Sequence, residues 1–188
     1  MKVEFIEIEN PEKINYKINW QRNYSDFPLS INKKYTVYAI EYFDDKHINF
    51  FILDDGGNTY PNNYPSDFFK IIDNRLSACW INKGNNLNYP LKNVVNNTII
   101  TFKEWIENKY FEYELFENLN NSTAIFDKYK IFMDCEYPDE SFPEAIVIIN
   151  NWVMCSYCSE SWETKDHLGI IICPKCNKKN NNPFWDNR

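Results

Sequence analysis

Four cysteines near the C-terminus constrain the fold of this chain more than any other feature. They form two Cys-x-x-Cys pairs, Cys155 with Cys158 and Cys173 with Cys176, and fourteen residues separate the pairs. Four thiolates can surround one tetrahedral metal ion at about 2.3 Å, and two pairs at this spacing are typical of a zinc ribbon. The sequence therefore predicts a structural metal site in which all four cysteines are ligands.

The segment between the pairs has the features of a hairpin that brings them together. Its returning half, Ile170–Ile172, is β-branched and favours a strand. Pro174 fixes φ early in the second turn, and Asn177 stands where a residue at positive φ is often needed. The first turn has neither proline nor glycine, so we expect it to be the less regular of the two.

Three chemistries are open to these four thiols. Zinc is the expected metal, iron suits the same sulfurs, and two disulfides would use the same residues in an oxidising compartment. The N-terminus, MKVEFIEIEN, has acidic residues where a signal peptide has an apolar core. We therefore expect a cytoplasmic chain with reduced thiols. His167 lies between the pairs, and a complete set of four cysteines leaves it no coordination role.

Charge and apolar content limit the partners of the chain. The net charge is −7, and residues 1–154 carry 23 acidic against 15 basic residues, or −8. Phosphate backbones repel such a chain, so we expect no nucleic acid and favour a basic protein partner. No apolar run approaches the roughly 18 residues that a membrane-spanning helix needs. Aromatic residues make up 18% of the chain, which is enough for a core and for a partner surface.

The N-terminal half has the pattern of short β-strands joined by turns. We expect a strand, a turn, a return strand, a second turn, one helical turn and a final strand, in the order Tyr35–Phe43, Asp44–His47, Ile48–Leu53, Asp54–Asn58, Ser66–Phe69 and Lys70–Asp73. This order resembles small bacterial SH3-like barrels, with Lys34–Val37 as the opening strand and Tyr64–Asp73 as the closing segment. The resemblance implies a barrel around residues 33–81.

The middle of the chain predicts two helices and a strand. Thr101 and Glu104 form a capping-box pattern, so a helix of about 17 residues should follow. Its apolar residues fall on two opposite faces, which indicates packing on both sides or a partner surface on one. Ser122 begins a second helix that should end near Asp134, and Glu144–Ile149 has the composition of a buried strand.

These segments together predict an α+β fold. It consists of an N-terminal SH3-like β-barrel, two central helices and a C-terminal zinc ribbon. The expected boundaries are 1–100 for the mainly β part, 101–150 for the two helices and the strand that pack on the barrel, and 151–188 for the ribbon.

Patterns that accompany catalysis are missing from the sequence. The chain has four glycines, and none of them belongs to a phosphate-binding loop or a nucleophile elbow. Cys79 and Cys135 have large apolar or aromatic neighbours, and we interpret both as inert, wholly or partly buried thiols. We therefore expect a protein that is not an enzyme; the remaining alternative is an enzyme with an unrecognised site in a cleft between barrel and ribbon.

Pairs of carboxylates in turns and loops are the candidates for partner binding. They are Asp44, Asp45, Asp54, Asp55, Asp139 and Glu140. Aspartate is favoured in turns for turn chemistry alone. As binding residues, they would supply fast electrostatic capture of a basic protein.

The combination of these parts resembles small bacterial immunity proteins of toxin systems. The resemblance runs over Lys33–Trp80, Phe102–Glu136 and Cys155–Cys176. It implies that the chain binds a cognate toxin, expected to be basic, and blocks its active site or its substrate path.

A zinc ribbon that binds nucleic acid or acts in transcription is the alternative function. Three lysines and two aromatic residues cluster at the second cysteine pair: Lys175, Lys178, Lys179, Phe184 and Trp185. Aromatic side chains beside basic ones can stack on single-stranded bases. The acidic body of the chain opposes this function.

Overall fold

A computed structural model describes residues 1–7, 27–42, 47–81, 98–165 and 167–185 of the chain. The chain divides into two compact units, Met1–Lys130 and Ile131–Arg188. Both contain antiparallel β-structure, and with three helices in the described residues the fold is α+β. None of these helices has the length and apolar character that a membrane crossing requires.

The described residues of the first unit form two antiparallel sheets. Its strands are, in chain order, β1 (Lys2–Phe5), β2 (Lys34–Thr36), β3 (Ala39–Tyr42), β4 (Ile48–Ile52), β5 (Asn62–Pro65), β6 (Phe69–Asp73) and β7 (Thr98–Ile100). One sheet has the order β2-β1-β6 and the other has the order β5-β4-β3-β7. A single 3₁₀ turn, Ser66–Phe68, carries the chain from β5 to β6 and from one sheet to the other.

Several β predictions are confirmed, and one is wrong. The return strand, the helical turn at Ser66 and the strand that ends at Asp73 are all present. The single strand predicted for Tyr35–Phe43 is instead two strands, because the chain changes sheets at Val37 and Tyr38. The amide of Val37 donates to the carbonyl of Met1 in one sheet, and the amide of Tyr38 donates to Phe51 in the other.

The predicted SH3-like barrel is not confirmed. Within the described residues, the strands of the first unit form two separate sheets and no closed barrel. Strand β1, which precedes the region of the resemblance, is the central strand of one sheet, and β3 and β4 are the central strands of the other. The order of strands along the sequence therefore did not predict whether the sheets close into a barrel.

The helical region differs from its prediction because one helix breaks. The helices are α1 (Lys103–Glu107), α2 (Phe111–Phe116) and α3 (Ser122–Cys135), so a single helix after Thr101 is wrong. The predicted capping box does not form. The Thr101 hydroxyl donates to the carbonyl of Tyr38 at 2.8 Å, and Glu104 accepts a hydrogen bond from Tyr129.

The break between α1 and α2 changes which residues face the core. Trp105 of α1 and Phe111 and Leu115 of α2 are all buried, although a continuous helix would place them on opposite faces. Tyr113 and Phe116 are left 61% and 58% exposed. The start of α3 at Ser122 is confirmed, and its end at Cys135 is one residue beyond the prediction.

Aromatic rings form most of the core of the first unit. Phe5, Phe68 and Phe69 pack on one another with ring centroids 5.9 to 6.5 Å apart. A second group of rings links strand β4 to the helices. The Phe51 ring contacts Trp105 of α1, and the Phe102 ring stacks on Tyr129 of α3 with centroids 4.1 Å apart. Such ring pairs stabilise a fold by about 1 kcal/mol beyond the area that they bury.

The second unit is built from two small antiparallel sheets. Its strands are β8 (Ile146–Ile149), β9 (Trp152–Met154), β10 (Ser161–Glu163), β11 (Ile170–Ile172) and β12 (Lys179–Asn181). The first three pair in the order β10-β9-β8, and the last two form a hairpin. A hydrophobic cluster of Ala145, Val153 and Ile171 lies at the centre of the unit, with Trp162 and Phe184 packed against it.

Strand β8 exists as predicted, but its expected burial is wrong. Its four residues, Ile146, Val147, Ile148 and Ile149, are between 49% and 62% exposed. The strand lies at the edge of its sheet, and the neighbouring strand supplies the buried residue, Val153. Apolar composition therefore predicted the strand correctly and its environment incorrectly.

Gly169 lies in tight contact with the segment that follows α3. A Cβ at this position would stand 2.2 Å from the nitrogen of Pro138 and 2.3 Å from the carbonyl carbon of Tyr137. The Gly169 amide also donates to the carbonyl of Glu136 at 3.1 Å. Backbone atoms cannot move aside as a flexible side chain would, so only glycine fits here.

We predict that Gly169→Ala lowers the free energy of unfolding of the chain by about 3 kcal/mol, since the methyl group overlaps backbone atoms. Urea denaturation of the purified protein measures this loss. Gly57→Ala is the matched control because nothing lies within 4 Å of its Cβ position. Its positive φ should cost only about 1 kcal/mol. Equal losses in the two variants would contradict the assigned contact.

Candidate metal centre

The second unit brings together the four cysteines of the two sequence pairs. Their sulfur atoms all lie within 4.8 Å of one another, an arrangement that could hold a metal ion. The sulfurs of Cys155 and Cys176 are 3.7 Å apart, and those of Cys158 and Cys173 are 3.6 Å apart. A tetrahedral ion with bonds of about 2.3 Å requires sulfurs about 3.8 Å apart. The shorter distances therefore match a tetrahedral site.

Each cysteine pair lies at the tip of a β-hairpin. Strand β9 leads into Cys155, and β10 begins soon after Cys158. In the same way, β11 leads into Cys173 and β12 follows Cys176. The hydrogen bonds of these strands fix the two tips, so the sheets of the unit position all four ligands.

The two cysteine turns have the same backbone hydrogen bonds. In each turn the amide four residues after the first cysteine donates to that cysteine's carbonyl at 3.0 Å: Ser159 to Cys155, and Asn177 to Cys173. The amide of each first cysteine also donates to the carbonyl five residues on, at Glu160 and Lys178. The two turns are therefore equivalent halves of one site.

Both turns close through a residue at positive φ. Asn177 has a φ of 57°, which confirms the prediction for the second turn. Ser159 has a φ of 59°, so the expectation of a less regular first turn is wrong. Serine adopts this region less readily than asparagine or glycine, so the residue type at position 159 did not predict a positive φ.

Hydrogen bonds at Cys155 favour its thiolate form. Burial raises the pKa of this thiol, but the backbone N–H groups of Tyr157 and Cys158 and the side-chain amide of Asn180 outweigh burial and lower the pKa to about 6. Metal ions bind the thiolate, and not the thiol. Cys155 is therefore prepared for coordination by the groups around it.

Cys158 shows why the four sulfurs need a cation. The backbone N–H of Glu160 favours its thiolate, but desolvation and the sulfurs of the other three cysteines together raise its pKa to about 12. Four thiolates at this spacing repel one another in the absence of a positive ion. An ion at their centre replaces the proton and removes the repulsion.

The donor set selects a soft metal. Thiolates suit zinc and iron, whereas magnesium and calcium prefer oxygen ligands. The cluster contains no carboxylate and no imidazole, and His167 is exposed outside it. The residues present therefore fit the four-sulfur site that the sequence predicts.

The other two cysteines lie as expected. Cys135 is buried, and Cys79 is partly buried with its sulfur 3.0 Å from the hydroxyl oxygen of Ser77. Both sulfurs lie outside the four-sulfur cluster. The interpretation of each as a wholly or partly buried thiol is confirmed.

The carboxylates of the second acidic turn bind groups of their own unit. Asp54 accepts hydrogen bonds from Asn62 at 2.7 Å and from the hydroxyl of Tyr64 at 2.6 Å. Asp55 pairs with Lys33 and accepts a hydrogen bond from the hydroxyl of Tyr35 at 2.8 Å. Both carboxylates therefore have a role in the turn itself.

The remaining candidate carboxylates divide into two groups. Asp44 and Asp45 lie outside the described residues. Asp139 accepts hydrogen bonds from the amide and the hydroxyl of Ser141, which is ordinary aspartate turn chemistry. Glu140 is exposed in the same loop.

Comparison of the chain with protein-family models, with curated proteins and with solved structures gave no match.

We predict that Cys173→Ser abolishes stoichiometric metal binding and destabilises the second unit, because a hydroxyl cannot replace a thiolate ligand. Elemental analysis of the purified protein and thermal unfolding measure the two effects. Cys79→Ser is the control, since this thiol lies outside the cluster, and it should keep the metal. A Cys173→Ser protein with full metal content and wild-type stability would show that the cluster is not a metal site.

We predict that Asp55→Asn destabilises the protein by about 1 kcal/mol at pH 7, because it removes a charged hydrogen-bond acceptor whose side chain is 24% exposed. Partial burial raises the pKa of Asp55, but hydrogen bonds from Lys33, Ser30 and Tyr35 outweigh it and lower the pKa.

The lowered pKa fixes the direction of the pH dependence. The stabilisation by Asp55 is present above its unfolded-state pKa of about 3.9 and is lost as the pH falls through the lower folded-state value. Denaturation at several pH values should show the difference between wild type and Asp55→Asn shrinking on acidification. Glu107→Gln, in an exposed ion pair with Lys103, is the control with little effect at any pH.

Proposed function

We propose that this chain is a non-catalytic protein-binding protein, and that it acts as an immunity protein that binds and neutralises a cognate bacterial toxin. The partner is a basic protein. The supporting observation is β8, an apolar strand that is exposed at the edge of its sheet. In the same proposal, the four cysteines hold a structural zinc ion that keeps this sheet folded.

An exposed apolar edge strand is unusual in a protein that has no partner. Edge strands generally carry lysine, proline or other features that prevent pairing with another chain. Residues 146–149 carry no lysine and no proline, since their sequence is Ile-Val-Ile-Ile, although the pairing of β8 with β9 shifts register between Val147 and Ile149. A strand of a partner can pair with this edge through backbone hydrogen bonds, while alternate side chains fill pockets on the partner.

Trp152 adds an anchor beside the same edge. Its side chain is 45% exposed, and it pairs with Ile149 across the hairpin. Tryptophan is among the residues that contribute most to binding when a partner buries them. The four β8 residues and Trp152 therefore form one continuous apolar candidate surface, which we call the β8 edge.

The charge of the chain favours a basic partner. A net charge of −7 attracts a basic protein over a distance of about 8 to 10 Å at physiological salt. The β8 edge itself is uncharged, so attraction speeds the encounter and apolar burial then holds the complex. Binding of this kind would block a toxin by covering its active site or its substrate path.

Zinc is the metal that suits this role. It has no redox chemistry and accepts four thiolates in a closed tetrahedral site, which leaves no open position for a substrate. A closed site of this kind stabilises a fold and does not catalyse a reaction. The zinc centre would hold β9 and β10, and through them β8, in place.

The nucleic-acid alternative has less support from the contacts at the second cysteine pair. Lys175 pairs with Glu160 at 3.1 Å. Phe184 packs against the hydrophobic cluster, and the indole N–H of Trp185 donates to the carbonyl of Glu136 at 3.1 Å. These aromatic side chains serve the fold of the second unit, so they are poorly placed to stack on bases.

We predict that the tagged chain, used as bait in a lysate of its native host, captures one basic protein in stoichiometric amount. Mass spectrometry of eluates at low and high salt identifies it. Co-expression of that protein with the chain should then relieve its toxicity in cells. Recovery of nucleic acid that is lost at high salt would instead favour the alternative.

The matched variants for this experiment are Ile149→Lys and Ile131→Lys. The two isoleucines are 62% and 61% exposed, but only Ile149 belongs to the β8 edge. Ile149→Lys should abolish capture and protection because it places a positive charge against a basic partner. Ile131→Lys should leave both unchanged. Equal binding by the two variants would rule out the β8 edge as the interface.

A further inference from the structure

We propose that Asn180 is a positioning residue of the metal centre. Its side-chain amide joins the two cysteine turns and donates a hydrogen bond to the sulfur of Cys155. This inference rests on the proposed metal site and is independent of any toxin partner. No sequence pattern distinguishes Asn180 from the many other asparagines of the chain.

Every polar group of the Asn180 side chain has a partner at the centre. The residue lies in β12 and is completely buried. Its carbonyl oxygen accepts a hydrogen bond from the amide of Ser156 at 3.1 Å. Its NH₂ group donates to the carbonyl of Lys178 at 3.2 Å and to the sulfur of Cys155 at 3.7 Å.

These partners allow only one orientation of the side-chain amide. The backbone N–H of Ser156 can only donate, and the carbonyl of Lys178 can only accept. The oxygen of Asn180 must therefore face Ser156, and its nitrogen must face Lys178. One N–H of the same nitrogen is then left to point at the sulfur of Cys155, which makes the contact directional.

The same contacts join the two halves of the site. Ser156 belongs to the first cysteine turn, whereas the carbonyl of Lys178 also accepts the amide of Cys173 in the second turn. Asn180 therefore fixes the distance between the turns in addition to contacting a ligand. Groups that orient metal ligands in this way typically account for 10- to 100-fold of metal affinity.

The neighbouring asparagine provides a natural comparison. Asn181 also uses its side-chain amide to hold the backbone, donating to the carbonyls of Asp139 and Phe142 at 2.9 and 2.7 Å. It accepts a hydrogen bond from the amide of Asp139 as well. None of these contacts involves a sulfur, so Asn181 is structural in the same strand without touching the centre.

The test compares Asn180→Asp with Asn181→Asp in the full-length protein. Each variant preserves the shape of the side chain and removes the NH₂ donors. Competition with a chromophoric chelator measures the affinity for Zn²⁺. We expect Asn180→Asp to bind zinc about 10- to 100-fold more weakly than wild type. The loss in Asn181→Asp should be smaller, because only the surrounding loop is affected.

A second readout separates positioning from general stability. Loss of the N–H donor raises the energy of the sulfur lone pair, so the sulfur-to-metal charge-transfer band of the Co²⁺-loaded protein should move to longer wavelength. The band should move in Asn180→Asp and stay unchanged in Asn181→Asp. If Asn180→Asp does not fold, the smaller and uncharged variant Asn180→Ser should show a shift in the same direction.

Two results would overturn the inference. An unchanged band in both Asn180 and Asn181 variants, with equal losses of zinc affinity, would show that Asn180 supports only the fold. A wild-type protein that binds neither Zn²⁺ nor Co²⁺ would reject the metal centre and this inference together. That result would also remove the zinc ion from the proposed function, whereas binding of a protein by the β8 edge would still be decided separately, because its test measures capture of a protein.

Discussion

The convergence of four cysteine sulfurs on one point is the physical constraint that organises the second unit. Cys155 and Cys173 are buried and the other two ligands are partly buried, within 4.8 Å of one another. A unit of fewer than about 70 residues rarely stabilises itself by a hydrophobic core alone. Here the buried apolar residues outside the cysteines include Met133, Tyr137, Ala145, Val153, Ile170 and Ile171, which is a small core for such a unit. A cation bound at this cluster would offset the repulsion between the four thiolates, and its binding free energy would then contribute to the folding free energy of the unit.

Hydrogen bonds from asparagine side chains hold several backbone segments of the second unit. Asn180, Asn181 and Asn182 follow one another in sequence, and their side-chain amides hold three different segments of backbone. Other asparagines close turns at positive φ, as Asn150 does between β8 and β9 and Asn177 does at the metal centre. An amide both donates and accepts, so it can replace secondary structure where the chain is irregular. The apolar strand β8 is left exposed at the edge of its sheet.

The sequence was most informative where chemistry requires a fixed spacing. The cysteine pairs, the turn at Asn177 and the start of α3 at Ser122 were all predictable because local rules determine them. The helix after Thr101 was not, since tertiary contacts to Tyr38 and Tyr129 took the two capping side chains. Burial of β8 and barrel closure depend on which distant strands are neighbours, and apolar periodicity carries no such information. Asn180 was missed because only folding brings it to Cys155.

The most direct test of this account is X-ray absorption spectroscopy of the purified full-length protein at the absorption edge of its bound metal. The account predicts one zinc ion per chain, surrounded by four sulfur atoms at about 2.3 Å and by no lighter ligand. An iron edge with the same four sulfurs would keep the site and change the metal. Nitrogen or oxygen ligands, or a protein that purifies with no metal and reduced thiols, would contradict the central claim that a four-cysteine metal centre organises the second unit.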